Sequence, residues 1–293
     1  MKPTFSKLVP VLQDVRIISL ALNLPGPAAL SRCRQMGADC LKLEPPGGDP
    51  MKQYSPAAYA RLHEQIEVQS LDLKLASSRQ RLHDELATAD VLITSFRPMA
   101  LVKLGLTWQT LHLHYPHLSQ IAIVGAPGAR ADEPGHDLTY LAENDLVTGL
   151  DLPATLYADM GGSLMASEAV LQAIMHQRST GHGIHLEVAL SNAAGYLALP
   201  RNWGLSQPGA AVGGGHAGYR IYRCQDGRVA LAALEPHFAA RLCAAAGLDA
   251  GNMQTMFDPA THAAVAAFLS TRTRQELDAL AVEKDIPLHT LSA

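Results

Sequence analysis

The amino-acid sequence predicts an α/β protein: a Rossmann-like parallel sheet in a large domain, followed by a smaller α+β lobe at the carboxyl end. Short apolar runs alternate with segments of helical periodicity up to about residue 125, which is typical of βαβ units covered on both faces. A Gly/Pro-rich stretch at 207–215 then precedes a hairpin signal and three helical segments. We therefore expect a large domain at 1–200, a linker at 201–217 and a small domain at 218–293.

The elements of the large domain follow from these patterns in chain order. We expect strands near 15–20, 40–44, 68–72, 90–94 and 119–124, and helices near 27–36, 77–88 and 98–113. The segment 160–178 has its polar positions on one narrow stripe, which predicts a mostly buried helix. The alternating segment 184–190 predicts one more strand.

The small domain begins with two short strands around a turn. The turn Gln225-Asp226-Gly227-Arg228 lies between apolar runs at 219–224 and 229–234, which is a hairpin signal. Helices are expected near 237–246, 260–270 and 273–284.

Composition limits the classes of function. A chain of 293 residues is long enough for two lobes, and its net charge of −4 disfavours non-specific binding to nucleic acid or anionic membranes. No apolar run reaches transmembrane length, and the apolar stretch near the amino terminus is interrupted by charged residues, so no signal peptide is indicated. The four cysteines have no C-x-x-C spacing. We expect a cytoplasmic protein with reduced thiols.

Three short pieces of sequence carry candidate chemistry. They supply an imidazole and two distant carboxylates: Gly135-His136-Asp137, Ala158-Asp159-Met160-Gly161-Gly162 and Leu234-Glu235-Pro236-His237-Phe238. A site that moves a proton on and off carbon needs such acid and base groups. The glycines after Asp159 would also let a ligand approach backbone N–H groups at a helix start, where an oxyanion is stabilised.

Each of these residues also has a simpler structural explanation. Asp159 could cap the helix that follows it, and Asp137 could cap the helix after His136. Glu235 could be a solvated acid in a first helical turn, and His136 an ordinary loop histidine. The functional interpretation depends on all three pieces occurring together.

The order of further motifs resembles class III CoA-transferases. The resemblance covers roughly residues 14–290 and rests on these segments: Val15–Leu20, Leu24-Pro25-Gly26-Pro27, Met36–Asp49, Leu71-Asp72-Leu73-Lys74, Ala89–Ile93 with Phe96-Arg97-Pro98, Leu104-Gly105-Leu106 and Arg178–Gly183. Within the family, the chain is most similar to the α-methylacyl-CoA racemase branch, because His136, Asp159 and Glu235 match its catalytic positions. The resemblance implies a large domain that binds coenzyme A and an acyl-CoA substrate.

The resemblance also implies roles for individual residues and for partners. His136 and Asp159 would exchange the α-proton of a 2-methylacyl-CoA, and Glu235 would orient His136. Contacts to coenzyme A would come from five residues: Lys42, Leu71, Arg97, Gly161 and Gly162. No metal and no cofactor beyond coenzyme A, as part of the substrate, is implied, and the protein is expected to be a homodimer.

Departures from the family pattern leave alternatives open. The segment 63–69 lacks the basic residues expected there and contains Glu64 and Glu67, and the chain stops at Ala293, where the family is expected to continue. One alternative is a CoA-transferase in which Asp159 is the nucleophile. The other is a degenerate, non-catalytic homologue that binds coenzyme A or a partner subunit.

Overall fold

The described residues of the computed structural model, 9–249 and 253–292, form two compact units that divide between Ala198 and Leu199. The residues predicted as a linker, 201–217, belong to the second unit, which begins with a short helix at Leu199–Asn202. No helix among the described residues is both long enough and apolar enough to cross a bilayer.

The first unit is built around a six-stranded, wholly parallel sheet, which confirms the predicted α/β class. The strands, in chain order, are β1 (Arg16–Ser19), β2 (Asp39–Glu44), β3 (Glu67–Ser70), β4 (Val91–Thr94), β5 (Ser119–Val124) and β6 (His185–Ala189). Their spatial order is β3-β2-β1-β4-β5-β6. Strands β4 and β5 are buried at every position, as strands covered on both faces require. The order reverses between β1 and β4, and a crevice is expected outside the carboxyl ends of strands at such a point.

Helices cover the sheet between these strands. They are α1 (Pro25–Gln35), α2 (Met51–Tyr54), α3 (Pro56–Leu62), α4 (Ala76–Leu86), α5 (Pro98–Leu104), α6 (Trp108–His114), α7 (Asp137–Glu143), α8 (Tyr157–Thr180) and α9 (Leu190–Leu197). The single helix expected at 98–113 is two helices, because Gly105 adopts φ 71° and ends α5 in a left-handed C-cap. The short helices α2 and α3 were not predicted.

Helix α8 begins earlier than the sequence suggested. It starts at Tyr157, so Asp159 lies inside the first turn instead of before it. A side chain at Gly162 would overlap the Leu190 side chain of α9, and at Gly161 a Cβ would lie 3.3 Å from Leu197 Cδ1. The two glycines therefore let α9 pack closely on α8.

The second unit is a small α+β unit, as predicted. Its elements are α10 (Leu199–Asn202), β7 (Tyr219–Cys224), β8 (Gly227–Ala232), α11 (Pro236–Ala245), α12 (Pro259–Ser270), α13 (Arg274–Lys284) and β9 (Leu288–Leu291). The predicted hairpin is β7–β8, antiparallel, with Cys224 opposite Gly227. Strand β9, which the sequence analysis missed, pairs with β8 to make a three-stranded sheet. Its core includes Val229, Leu231 and Leu242.

Candidate active site

His136 is fixed by its backbone at the start of α7. Its N–H donates to Thr139 Oγ1 at 3.0 Å, and the Thr139 hydroxyl donates back to the His136 carbonyl oxygen at 2.7 Å. The side chain of His136 is exposed. The helix start therefore holds the main chain while the imidazole stays available to a ligand.

Asp137 joins the start of α7 to the first turn of α8. Its carboxylate is 5% exposed, and Oδ1 accepts the N–H of Asp159 at 3.0 Å. The sequence analysis suggested that Asp137 caps its own helix, α7. In the structure, its carboxylate instead accepts an N–H from the first turn of α8, a group that has no partner within that helix. His136 and Asp159, 23 positions apart in sequence, are brought together by this contact.

The environment of Asp159 disfavours its charge. Burial and, to a smaller extent, the negative charge of Asp137 raise the pKa of Asp159, His136 acts in the opposite direction, and the resulting pKa is about 6. The influence of both neighbours places the Asp159 carboxyl within electrostatic reach of the imidazole and of Asp137. A carboxyl group with a pKa near 6 can both accept and donate a proton close to neutral pH.

The backbone after Asp159 differs from the expectation. The Met160 N–H donates to the Leu156 carbonyl oxygen at 3.0 Å, and Gly161 and Gly162 lie in the same continuous helix. Their N–H groups are therefore committed to the i−4 bonds of α8. These N–H groups are therefore not free for the expected oxyanion-binding role, and the two glycines serve the packing of α9; their contact with coenzyme A stays a prediction.

Glu235 lies in the second unit as the residue before α11. It is exposed and has an extended backbone, and its side chain does not cap the helix. Its partnership with His136 stays a prediction.

A crevice opens at the carboxyl ends of β1, β2, β3 and β4, where the strand order reverses. It is a mostly apolar cavity of about 190 Å³. Its lining includes the predicted coenzyme A contact Leu71, with these neighbours: Leu20, Leu22, Leu43, Phe96 and Leu104. Asp72 and Lys74 stand at the same cavity. Lys74 is an exposed cation in the loop between β3 and α4, and the sequence analysis did not select it as a contact.

Lys42, a predicted coenzyme A contact, has a different role. It is completely buried, and its ammonium contacts Asp49 at 2.5 Å, Glu44 at 3.1 Å and His63 Nε2 at 2.9 Å. With three partners and no exposure, it is not available to a phosphate in this structure. The two carboxylates and the imidazole are grouped as metal ligands often are, and Lys42 stands among them as the cation.

The Lys42 cluster organises the loops above the sheet. Asp49 also accepts the Asn23 N–H at 3.1 Å and the Met51 N–H at 2.9 Å, so it ties the loop before α1 to the loop before α2. His63 Nδ1 lies 2.7 Å from the Tyr59 carbonyl oxygen, which assigns the proton to Nδ1 and leaves Nε2 to accept from Lys42.

Two tyrosines near Asp159 were missed by the sequence analysis. The charge of Asp159 raises the pKa of Tyr54 and of Tyr140, in each case after the larger effect of burial. Arg97, a predicted coenzyme A contact, is exposed beside α5 and lowers the pKa of Tyr140. Arg97, Tyr140 and Asp159 therefore share one electrostatic environment.

The chain belongs to the CoA-transferase family III, which it matches over residues 12–293. It is 30% identical over 203 residues to the cinnamoyl-CoA:phenyllactate CoA-transferase of Clostridium sporogenes, an alignment that covers 62% of this chain and 49% of that protein. The chain thus spans about half the length of that relative. It is 27% identical over 268 residues to the α-methylacyl-CoA racemase of Mus musculus, covering 85% of this chain and 68% of the racemase.

The fold has a close counterpart among solved structures. A crystal structure of the hypothetical protein Rv3272 from Mycobacterium tuberculosis superposes with a TM-score of 0.83 at 22% identity, covering 97% of this chain and 84% of that one. At this identity the likeness establishes the fold. The relatives include both a racemase and CoA-transferases, so membership of the family does not by itself define the reaction of this chain.

Proposed function

We propose that the protein is an acyl-CoA racemase or epimerase that exchanges the α-proton of a 2-methylacyl-CoA thioester. The observation that carries the proposal is the pairing of the exposed imidazole of His136 with Asp159, whose pKa is raised to about 6. A reversible proton transfer to carbon requires one group that accepts the proton and a second that returns it, and Asp159 and His136 are groups of these types. The similarity to the mouse α-methylacyl-CoA racemase supports this assignment.

In the proposed mechanism, one of the two groups removes the α-proton and the other returns a proton to the opposite face. The electron pair of the C–H bond moves into the enolate, and its oxygen carries the developing charge. Asp137 holds Asp159 in position through the N–H contact. In this scheme Glu235 reaches the site from the other subunit of a homodimer and orients and tunes His136, a role that Glu235→Gln tests through the rate of exchange.

The decisive experiment follows deuterium in D₂O. With a branched 2-methylacyl-CoA, the wild-type protein should incorporate deuterium at the α-carbon, and His136→Asn and Asp159→Asn should each slow the exchange roughly 10²–10⁴-fold. His114→Asn, on the separate helix α6, is the matched control and should exchange like the wild type. Normal exchange by His136→Asn would contradict the mechanism.

A CoA-transferase is the second candidate, because Asp159 is also a possible nucleophile and several family members, including the Clostridium sporogenes relative, transfer CoA. The Asp159 carboxylate would attack the thioester carbonyl carbon, the C–S bond would break with release of the CoA thiolate, and a mixed anhydride would form. Exchange of CoA between an acyl-CoA and a free acid, without deuterium at the α-carbon, would establish this function. Neither activity across several acyl-CoAs would favour a non-catalytic homologue.

Two further parts of the proposal concern binding and assembly. The crevice lined by Leu71 and Phe96 is suited to an apolar or aromatic part of the ligand, with Arg97 and Lys74 as cations for its phosphates. We also propose a homodimer, which sedimentation equilibrium measures directly. A monomer at micromolar concentration would contradict that part.

A further inference from the structure

We propose that the hydroxyl group of Tyr140 is a catalytic group that donates a hydrogen bond to the thioester oxygen of the substrate. This inference rests on the proposed function in one respect: the ligand must be a thioester. It applies to α-proton transfer and to acyl transfer alike, because the carbonyl oxygen gains negative charge in both reactions.

The position of Tyr140 in α7 supports this role. It lies one helical turn after His136, and its N–H donates to the His136 carbonyl oxygen at 3.3 Å. The same short helix places Asp137 on the N–H of Asp159. One element therefore carries the imidazole, the carboxylate that fixes Asp159, and the phenol.

The ring of Tyr140 occupies a slot that two glycines leave open. A side chain at Gly125, just after β5, would overlap the Tyr140 hydroxyl, and a Cβ at Gly135 would lie 2.6 Å from the same oxygen. Gly135 is the first residue of the Gly-His-Asp piece, and the close approach of the Tyr140 ring explains why a residue without a side chain stands there. The slot holds the phenol oxygen at the carboxyl end of the sheet, directly beside the residue that precedes His136.

The hydroxyl is not used by the protein. Tyr140 is only 7% exposed, yet its hydroxyl makes no hydrogen bond to any of the described residues. Other partly buried tyrosines have protein acceptors: Tyr59 donates to Glu44, Tyr115 to the His83 carbonyl and Tyr222 to the Ala217 carbonyl. The Tyr140 oxygen is not among the fully buried side-chain atoms that lack a partner, so it reaches the molecular surface, where a ligand oxygen can accept its hydrogen bond.

The charges around Tyr140 keep it a donor. Burial and the charge of Asp159 raise its pKa, and Arg97 opposes them in part, so the phenol stays protonated at neutral pH. During proton transfer, the base takes the α-proton, the C–H electron pair forms the C=C bond, and the carbonyl π pair moves to oxygen. Tyr140 donates a hydrogen bond to that oxygen and keeps its proton, and reprotonation reverses each movement.

The first test replaces Tyr140 with Phe and measures deuterium exchange and CoA transfer. We expect kcat to fall roughly 10²–10³-fold, as for loss of one oxyanion donor, with KM changed less than about threefold. Tyr115→Phe, which removes the same oxygen at a site beside His83 of α4, is the matched control and should keep kcat. A Tyr140→Phe enzyme within threefold of the wild type would overturn the proposal.

A binding measurement keeps this test separate from the proposed function. Calorimetry compares a stable ketone analogue of a 2-methylacyl-CoA with a thioether analogue that lacks the oxygen. The wild type should prefer the ketone, and Tyr140→Phe should lose that preference even if neither protein turns over a thioester. Equal affinities of the wild type for the two analogues would overturn the role of Tyr140 whatever reaction is found.

A second variant tests the slot itself. Gly125→Ala should destabilise the wild type, because the new methyl group overlaps the Tyr140 hydroxyl, and should destabilise Tyr140→Phe less. The comparison is made by urea unfolding of the four proteins of this double-mutant cycle. Equal costs in the two backgrounds would show that the hydroxyl does not occupy the slot, and would contradict the proposal.

Discussion

The carboxyl group of Asp159 is suited to proton transfer because its surroundings disfavour its negative charge. Burial and the neighbouring Asp137 both raise its pKa, to about 6. The same surroundings cost folding stability whenever Asp159 is ionised, since its pKa in the unfolded chain is close to 3.8. Function and stability therefore oppose each other at this one residue.

We predict that Asp159→Asn stabilises the protein at pH 7 while it slows α-proton exchange. Between pH 4 and 6 the folded wild type binds more protons than the unfolded chain, so ionisation of Asp159 lowers stability as the pH rises through this range. The variant should gain about 1–2 kcal/mol at pH 7 after allowance for solvent screening. Urea unfolding measures it. The gain should vanish near pH 4, and a loss of stability at pH 7 would contradict the argument.

At the scale of elements, the pairing of α7 with α8 forms the proposed site. The two helix starts are joined by a side-chain hydrogen bond, from the Asp159 N–H to Asp137, which also brings a negative charge to Asp159. These two effects can be separated, because an amide oxygen accepts the same hydrogen bond without the charge.

We predict that Asp137→Asn shifts the pH profile without displacing α8. The acidic limb of the exchange rate, which falls as the pH drops through about 6, should move to lower pH because the charge that raises the pKa of Asp159 is gone. Asp137→Ala, which removes the hydrogen bond too, should also lower the maximal rate. An unchanged profile in Asp137→Asn would assign the raised pKa to burial alone.

The approach to the crevice at β3 gives a separate prediction about coenzyme A. The segment 63–69 supplies no Lys or Arg: His63 is enclosed in the Lys42 cluster, and Glu64 and Glu67 are exposed acids. Since phosphates are bound by Arg and Lys and repelled by acids, the 3′-phosphate should contribute little to affinity. Calorimetry should give nearly equal affinities for CoA and dephospho-CoA. A preference for CoA greater than tenfold would show that other cations, such as Lys74, bind the 3′-phosphate.

The sequence was a good guide to the elements and a weaker guide to the site. Buried strands such as β4 and β5 are continuous apolar runs, so their position could be read directly. The burial of Lys42 could not be predicted from the local sequence, because it depends on Asp49 and His63, which the fold brings from other segments of the chain. Asp137 was expected to cap its own helix and Tyr140 was overlooked, because their actual partners, the Asp159 N–H and the glycine slot, belong to other parts of the fold and no local pattern encodes them.

At the scale of the whole molecule, each unit has a buried histidine that is held neutral. In the first unit, burial lowers the pKa of His63, with Lys42 contributing and the carboxylates of Glu44 and Asp49 acting in the opposite direction. In the second unit, His216 is completely buried and accepts the Gly218 N–H, and burial lowers its pKa, with a contribution from His262. Both units should therefore respond to acid.

We predict that both units lose stability as the pH falls below about 6.5. The unfolded chain binds protons on these histidines first, so between that pH and the lower folded pKa values each histidine removes up to about 1.4 kcal/mol per pH unit. Hydrogen exchange followed peptide by peptide reports the two units separately. His63→Gln should flatten the pH dependence in the first unit, and His216→Gln in the second.

The control for this prediction is His289→Gln, because His289 is exposed on β9. It should leave the pH dependence of both units as in the wild type. If His63→Gln changed the stability by the same amount at every pH from 5 to 8, the Lys42 cluster would be a packing contact whose histidine does not titrate. In that case the acid sensitivity of the first unit would have to come from another group.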